Sequence, residues 1–262
     1  MSLNLQNLKD EKLIIGMIHL LPLPGSPGYD GNLEAVFERA LADLNALQDN
    51  GVSAAIVENF GDVPYDNSCD FVTLAAMTAI AARLKPFARI PLGLNVQFNQ
   101  FIEEWDMAYA AGYDFIRVEA FVETRVGTHG ITYPAAPKLM REKGRYPADI
   151  KLLCDINTKH TTGLVDMPVK DAIHSALEEK ADALIVTGLV TGQNPTLEQV
   201  KEFKAHANGA PVILGSGINK DNVADFLQVA DGAIVGSSFK IDGNVFNGID
   251  PVRVKAFMEN IK

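Results

Sequence analysis

The chain has 262 residues and a mass of 28.4 kDa, which suits one large α/β barrel of roughly 250 residues or two domains of about half that size. Its net charge of −10 argues against nonspecific attraction to nucleic acid or to an anionic membrane surface. Two cysteines form no disulfide framework, and the sequence lacks both a membrane-spanning apolar run and a signal-peptide layout, so we expect a cytoplasmic protein without an integral membrane segment.

Short apolar runs alternate with stretches of helical periodicity along the chain. The runs are typical of buried parallel strands and lie at residues 13–18, 54–57, 91–96, 115–118, 150–156, 183–186, 212–214 and 233–235. The helical stretches lie at residues 33–50, 70–85, 100–111, 135–143, 168–180, 222–229 and 252–261, with a further helix beginning after Thr196. Because repeated right-handed crossovers close most readily into a ring, the pattern predicts a single (β/α)8 TIM barrel over residues 1–262, with a doubly wound open sheet as the alternative.

Two predicted loops are longer than the connections usual in such a barrel. Residues 20–32, after the first strand, contain three prolines and three glycines and therefore form a stiff, irregular segment. Residues 120–147, after the fourth strand, combine Gly, Thr and Pro with one short predicted helix. Since the loops that follow the strands build the active face of a barrel, we expect the first loop to contact substrate and the second to cover that face.

Small residues follow the last three predicted strands. They are Thr187 and Gly188 after strand six, Gly215, Ser216 and Gly217 after strand seven, and Gly236 and Ser237 after strand eight. Glycine lets backbone N–H groups approach an anion closely, and the following helix adds its positive end, so the pattern predicts a phosphate-binding site. The alternative is that these glycines only close tight turns. Lys240 is the predicted cation beside the phosphate, with an exposed surface lysine as the alternative.

The first five predicted strands end in ionisable or amide side chains instead. These are His19, Glu58, Asn95 and Glu119 at strands one to four, and Asp155 in strand five with Lys159 just beyond it. Neighbouring carboxylates raise each other's pKa, which suits acid–base chemistry. We therefore predict acid, base or electrostatic roles for Glu58, Asp155 and Lys159, with the other three beside them. The alternatives are a structural Asp155–Lys159 ion pair and a His19 whose side chain only forms hydrogen bonds within a turn.

The same side chains leave two other chemistries open. The carboxylates could hold a divalent cation together with His19, but the sequence has no compact metal-binding motif, so no metal ligand is assigned and the cofactor stays unknown. Lys159 could form a Schiff base with a carbonyl substrate if burial lowers its pKa, although it lies beyond the end of its strand.

Segments along nearly the whole chain resemble the BtpA family, which includes SgcQ-like bacterial proteins. They lie at residues 16–27, 58–64, 94–96, 115–118, 159–160, 183–188, 215–217 and 236–240. The resemblance implies a barrel of the ribulose-phosphate-binding type and, for the photosynthetic members, peripheral membrane proteins associated with photosystem I biogenesis. The chain differs from the family pattern at Glu119, where Asn is more usual, and throughout residues 120–147.

These observations lead to an expected function. We expect an enzyme that acts on a small phosphorylated metabolite, a sugar phosphate, by proton transfer next to a carbonyl, as an isomerase, epimerase or aldolase does. The alternative, which follows from the resemblance, is a noncatalytic assembly factor of the photosystem I biogenesis type. The sequence leaves open the substrate, the reaction, the metal requirement and whether the chain forms a homo-oligomer.

Overall fold

The computed structural model describes residues 2–6, 8, 11–98, 100–188 and 194–261. Its strands in chain order are β1 Leu13–His19, β2 Ala54–Glu58, β3 Leu92–Asn95, β4 Phe115–Val118, β5 Arg125–Gly127, β6 Gly130–Thr132, β7 Lys151–Ile156, β8 Thr161–Gly163, β9 Ala183–Val186, β10 Val212–Leu214 and β11 Gly232–Val235. Its helices are α1 Leu33–Gln48, α2 Phe71–Leu84, α3 Phe101–Ala111, α4 Ala136–Arg145, α5 Val169–Glu178, α6 Leu197–His206, α7 Val223–Leu227 and α8 Pro251–Glu259.

Eight of these strands close into a parallel barrel. The order around the barrel is β1, β2, β3, β4, β7, β9, β10, β11 and back to β1. Closure is made by β11, which pairs in parallel with β1 from Leu13 opposite Gly232 to Gly16 opposite Val235. The predicted TIM barrel is therefore confirmed, and the alternative of an open, doubly wound sheet is wrong.

The ends of several helices follow directly from local sequence. Thr196 begins α6 with a capping box, because its side chain accepts from the backbone N–H of Gln199 while the Gln199 side chain accepts from the backbone N–H of Thr196. Asp250 caps α8 ahead of Pro251 by accepting from the N–H of Val252. Helix α7 is shorter than predicted, since it spans only Val223–Leu227.

Alternation along the strands separates the barrel interior from the layer under the helices. The residues of one parity form an apolar cluster that fills the lower part of the barrel, with members Leu13, Ile15, Met17, Ala54, Ile56, Phe115, Leu153, Ala183, Ile185, Ile213 and Ile234. Towards the carboxyl ends of the strands, the next residues of the same parity are polar or glycine, namely His19, Glu58, Asn95, Arg117, Asp155, Thr187, Gly215 and Gly236. The upper interior of the barrel is thus the polar part.

A small antiparallel sheet stands outside the barrel. Its order is β6, β5, β8, so the hairpin of the 120–147 segment pairs with a strand from the loop after β7. This segment was predicted as an irregular insertion with one short helix, and it contains α4 as well as the hairpin. The pairing with β8 ties the loop that carries Lys159 to this insertion. No helix among the described residues is long and apolar enough to cross a membrane.

Candidate functional site

One pocket opens at the carboxyl ends of the barrel strands. Its cavity is small, about 50 Å³, and its lining residues are Met17, His19, Glu58, Phe60, Arg117, Lys159, Gly215, Ser216, Gly217, Ile234, Gly236, Ser237 and Val245. The structure therefore brings three of the predicted catalytic residues into one space with the glycine turns that follow β10 and β11. The two turns belong to the seventh and eighth strands of the barrel.

A buried amide connects the two glutamates of this region. The side-chain nitrogen of Gln97 donates to Glu58 Oε1 at 2.9 Å and to Glu119 Oε1 at 3.0 Å. The second oxygen of Glu119 is buried and has no hydrogen-bond partner among the described residues. Glu58 lines the pocket, whereas Glu119 does not and is joined to Glu58 through the Gln97 amide.

A bidentate ion pair forms another part of the charged wall. Arg117 Nε and Nη2 donate to the two carboxylate oxygens of Asp155, each at 2.9 Å, and both side chains are buried. Of the acid, base or electrostatic roles predicted for Asp155, the structure favours the electrostatic one, because Asp155 does not line the pocket and both of its oxygens accept from Arg117. The alternative Asp155–Lys159 ion pair is also wrong. Arg117 itself lines the pocket, and no acceptor among the described residues engages its Nη1.

Burial changes the acid–base properties of the charged side chains. It raises the pKa of Glu58, against the opposing fields of Arg117 and Lys159. It raises the pKa of Glu119 to about 7, also against the field of Arg117. It lowers the pKa of Lys159, and the neighbouring Arg117 cation lowers it further. The pocket thus holds groups whose protonation is brought towards neutral pH, as acid–base chemistry requires.

The loop that carries Lys159 is held by a buried arginine. Arg125 donates to Asn157 Oδ1 at 2.8 Å, to Thr161 Oγ1 at 2.8 Å and to the Thr161 carbonyl at 3.1 Å, and it pairs with Glu123 at 2.9 Å. These bonds close the loop between β7 and β8 on both sides of Lys159. The ammonium of Lys159 has no hydrogen-bond partner among the described residues, so Arg125 positions the backbone and leaves the lysine head available to the pocket.

His19 is neutral and its tautomer is fixed. Burial lowers its pKa to about 3, and the nearby Lys240 cation adds to the effect. Its Nδ1 lies 3.1 Å from the carbonyl oxygen of Val245, and because a carbonyl can only accept, Nδ1 carries the proton. The ring also stacks on Phe60 with centroids 4.2 Å apart. Nε2 is therefore a hydrogen-bond acceptor at the pocket.

The glycine turns offer backbone N–H groups to the pocket. Gly217, Gly236 and Ser237 line it, and their N–H groups have no acceptor within the described ranges. Gly217 has a φ of +73°, in the left-handed region that favours glycine. A Cβ on Gly236 would lie 3.7 Å from its nearest neighbours, which are side-chain atoms of His19 and Met17. A Cβ on Gly215 would lie only 2.6 Å from side-chain atoms of Ile185 and Thr187.

Three other predicted residues lie near the pocket without lining it. Gly188 N–H donates to the hydroxyl of Ser216 at 2.9 Å, and Thr187 Oγ1 donates to the Asn157 carbonyl at 3.5 Å. Asn95 is fully buried and its amide nitrogen donates to the Arg117 carbonyl at 3.4 Å. Their contacts support the neighbouring loops and strands of the site.

Lys240 is placed differently from its prediction. The side chain is fully buried, and its Nζ lies 3.0 Å from Asp43 Oδ2, outside the lining of the pocket. Asp43 Oδ1 accepts from the backbone N–H of Ile249 at 2.8 Å, so the pair links the segment before α8 to α1. The predictions of Lys240 as a phosphate ligand and as an exposed lysine are both wrong.

Arg117, Gln97 and Arg125 take part in the site although the pattern of strand ends did not predict them. The sequence does indicate Arg117, because a charged residue inside an otherwise apolar parallel strand either faces the barrel interior or is buried in the apolar layer under the helices, where its charge is unfavourable. It also has the same parity as Glu119. Gln97 follows Asn95 by two residues, so a continued strand would have placed both side chains on the same side. Arg125 had no such signal, since its contacts depend on a loop more than 30 residues away.

No group of three or more His, Cys, Asp or Glu side chains within the described ranges is arranged to hold a metal ion. Both oxygens of Asp155 accept from Arg117, and one oxygen each of Glu58 and Glu119 accepts from Gln97. The carboxylates of this region are thus engaged largely by protein donors.

Sequence comparisons agree on one family. A model of the BtpA family matches residues 10–262. The chain is 37% identical over 256 residues to the photosystem I biogenesis protein BtpA of Synechocystis sp., with 97% of this chain and 89% of that protein aligned. It is 36% identical over 252 residues to an uncharacterised protein of Pyrococcus abyssi, with 96% of each protein aligned.

The barrel is also shared with solved structures of low sequence identity. N-(5'-phosphoribosyl)anthranilate isomerase from Pyrococcus furiosus superposes with a TM-score of 0.56 and 15% identity, over 95% of this chain and 98% of that one. At this identity the likeness establishes a common fold.

Proposed function

The chain belongs to the BtpA family, and we propose that it is an enzyme that acts on a small phosphorylated metabolite by moving a proton next to a carbonyl group. The observation that supports this proposal is a single pocket lined both by two glycine turns and by Glu58, Arg117 and Lys159. An anion-binding end beside groups that exchange protons is what isomerisation, epimerisation or aldol cleavage of a sugar phosphate requires.

The phosphate would occupy the glycine side of the pocket. The free N–H groups of Gly217, Gly236 and Ser237 supply donors, but a phosphate carries about −1.5 to −2 charges at neutral pH and needs a cation as well. Arg117 takes the part first assigned to Lys240, because its Nη2 lies 3.5 Å from where a Cβ on Gly215 would stand. Asp155 holds the guanidinium in place while Nη1 stays available to the anion.

Glu58 and Lys159 would act on the carbonyl end of the substrate. The Glu58 carboxylate takes the proton from the carbon next to the carbonyl. The electron pair of that C–H bond forms a C=C bond to the carbonyl carbon, and the π pair of the carbonyl moves to its oxygen. The Lys159 ammonium stabilises the resulting oxyanion. Return of a proton to the opposite face of the same carbon gives epimerisation. Return of the proton to the former carbonyl carbon, with the hydroxyl proton passing to the former carbonyl oxygen, gives isomerisation. The raised pKa of Glu58 makes its carboxylate a stronger base.

Binding of a phosphate ester tests the anion end. Isothermal titration of the full chain with glycerol 3-phosphate should show binding, and Gly236→Ala should weaken it about tenfold or more because the added methyl narrows the small cavity. That methyl would meet its neighbours at ordinary contact distance, so the variant should fold. Gly144→Ala is the matched control, since Gly144 lies in α4 with open space around it. Unchanged binding in Gly236→Ala would place the anion elsewhere.

Solvent exchange tests the proton transfer. A panel of aldose and ketose phosphates is incubated with the protein in D2O, and deuterium at the carbon next to the carbonyl is followed by NMR. We expect exchange with at least one compound, reduced about 10²–10⁴-fold in Glu58→Gln. Titration should show that this variant still binds the ester. Equal exchange in both proteins would remove Glu58 from the mechanism.

A noncatalytic assembly role is the second candidate. It is favoured by the name of the Synechocystis relative, a photosystem I biogenesis protein that is 37% identical to this chain. The two candidates predict different outcomes of the same experiments. An assembly factor requires no exchange with any compound of the panel, whether or not the pocket still binds a phosphate ester.

A further inference from the structure

An apolar groove adjoins the pocket at the mouth of the barrel. Its cavity is about 350 Å³, and its walls include Leu20, Leu21, Pro22, Val63 and Phe246. His19, Phe60 and Val245 line both the groove and the pocket, so the two spaces share one wall. Since the groove is formed by the loops after β1 and β2 and by the segment before α8, it lies on the same face of the barrel as the charged groups.

Aromatic rings form the boundary between the two spaces. Phe60 stacks on His19 at 4.2 Å between centroids and meets Phe246 in a tilted arrangement at 5.5 Å. His19 is neutral, and its Nδ1–H is engaged by Val245. A ring placed in the groove would therefore contact aromatic faces and edges instead of charged groups.

The groove offers few hydrogen-bond partners to a hydroxylated ligand. None of the described residues that line it carries a charged side chain. Phe246 is 57% exposed and Val63 is 40% exposed, so apolar surface lies open beside a polar pocket. A sugar hydroxyl buried against the apolar walls, away from His19 Nε2, would lose its hydrogen bonds to water at a cost of about 1–3 kcal/mol each.

From this arrangement we infer that the substrate carries an aromatic ring or similar planar apolar group, which fills the groove while the phosphate occupies the glycine turns. The inference rests on the proposed function and specifies its substrate class. The volumes agree with this division, because an apolar cavity of about 150 Å³ is already enough to hold benzene. The groove exceeds that volume, whereas the pocket of about 50 Å³ accepts only the small polar end of a ligand.

A series of phosphate esters tests the inference with the full chain. Phenyl, benzyl and 2-phenylethyl phosphate place a ring at increasing distance from the phosphate, and glycerol 3-phosphate is the hydroxylated reference. Isothermal titration should show that at least one aryl ester binds about tenfold more tightly than the reference, because the ring leaves water and meets Phe60 and Phe246.

Uncharged substitutions in the groove test where the aryl ring of the ester binds. Phe246→Ser should remove most of the aryl advantage, and Val63→Thr, which keeps the shape of the side chain but adds a hydroxyl, should reduce it. Phe71→Ser is the control, because Phe71 is 84% exposed at the start of α2 and lines neither space. Binding of glycerol 3-phosphate should stay the same in all three variants.

The outcomes separate the two proposals. If glycerol 3-phosphate does not bind, the proposed function fails. If it binds but no aryl ester binds more tightly, or if the aryl advantage survives Phe246→Ser, the inference alone is overturned. Sedimentation at several concentrations gives an independent readout: a dimer that disappears in Phe246→Ser would show that a second copy of the chain covers the groove, and would also overturn the inference.

Discussion

The two halves of the barrel mouth achieve polarity in different ways. On the side of β2, β3, β4 and β7, charged and amide side chains are buried and satisfy one another, as Gln97 does between Glu58 and Glu119 and Asp155 does with Arg117. On the side of β10 and β11 the lining consists mostly of glycine and serine. The backbone N–H groups of Gly217, Gly236 and Ser237 have no acceptor among the described residues.

This difference indicates how the two halves respond to mutation and to pH. A network of buried charges depends on every partner, because removing one leaves another charge in a medium of low polarity. A wall of backbone groups depends on shape, because any added side chain occupies the space that the N–H groups face. The charged half should therefore respond to loss of charge and to pH, and the glycine half to the size of side chains.

The largest effect is expected from Arg117→Met. It leaves Asp155 buried without a partner and should lower the free energy of unfolding by about 3–5 kcal/mol, measured by urea denaturation, and also abolish binding of glycerol 3-phosphate. Lys240→Met is the comparison outside the pocket, since it also removes a buried cation from a buried aspartate, although Asp43 keeps Arg39 at 3.4 Å and the backbone N–H of Ile249. It should destabilise the protein less than Arg117→Met does, while the folded fraction keeps its affinity. Equal loss of affinity in both variants would contradict the division between the two ion pairs.

The next effect concerns the size of side chains in the glycine half. The new methyl of Gly215→Ala would stand 2.6 Å from Ile185 and Thr187, so these neighbours must shift at a cost of about 1–3 kcal/mol. Gly236→Ala has contacts of 3.7 Å and should keep wild-type stability. Thermal unfolding of both variants measures the difference. A stable Gly215→Ala protein would mean that the two turns pack less tightly than the structure indicates.

A smaller effect, which depends on pH, is expected from Glu119. Its pKa is raised from 4.5 to about 7 in the folded protein, chiefly by burial, so the folded state binds more protons between these values. The contribution of Glu119 to stability is therefore fully present below pH 4.5, falls as the pH rises through 7, and stays lost above it.

Glu119→Gln removes this contribution. The variant should gain on the order of 1 kcal/mol over the wild type at pH 8 and lose the advantage towards pH 5, as measured by urea denaturation at each pH. Glu34→Gln is the control, because Glu34 is exposed and its pKa is lowered by its bond to Arg83. An advantage of Glu119→Gln that does not change between pH 5 and pH 8 would contradict the raised pKa.

The smallest effect is the absence of a histidine titration at the boundary of the two halves. Because the pKa of His19 is about 3, its ring stays neutral with the proton on Nδ1 throughout the neutral range. Nitrogen-15 NMR of the histidine rings should show constant His19 shifts between pH 5 and pH 8. A midpoint for His19 within that range would show that the ring is more accessible to water than its burial implies.

The order of strands and the location of the small residues could be predicted from the sequence. Apolar runs such as residues 183–186 and 212–214 have no periodic alternation, because parallel barrel strands are covered on both faces. Local chemistry also determined the start of α6 at Thr196 and the glycine turns after β10 and β11. These features depend on neighbours within a few residues, which is why a single sequence reveals them.

The pairing of the buried charges was decided by the tertiary structure alone. Asp155 is 38 residues from Arg117 in the sequence, and Asp43 is 197 residues from Lys240. The sequence predicted that Asp155 and Lys240 lie near the active face, but not that each is committed to an ion pair. Which cation reaches the pocket depends on the stagger of strands around the closed barrel and on loops such as the one that Arg125 holds. A charge buried in a medium of low polarity takes the partner that this geometry presents to it, however distant that partner is in the chain.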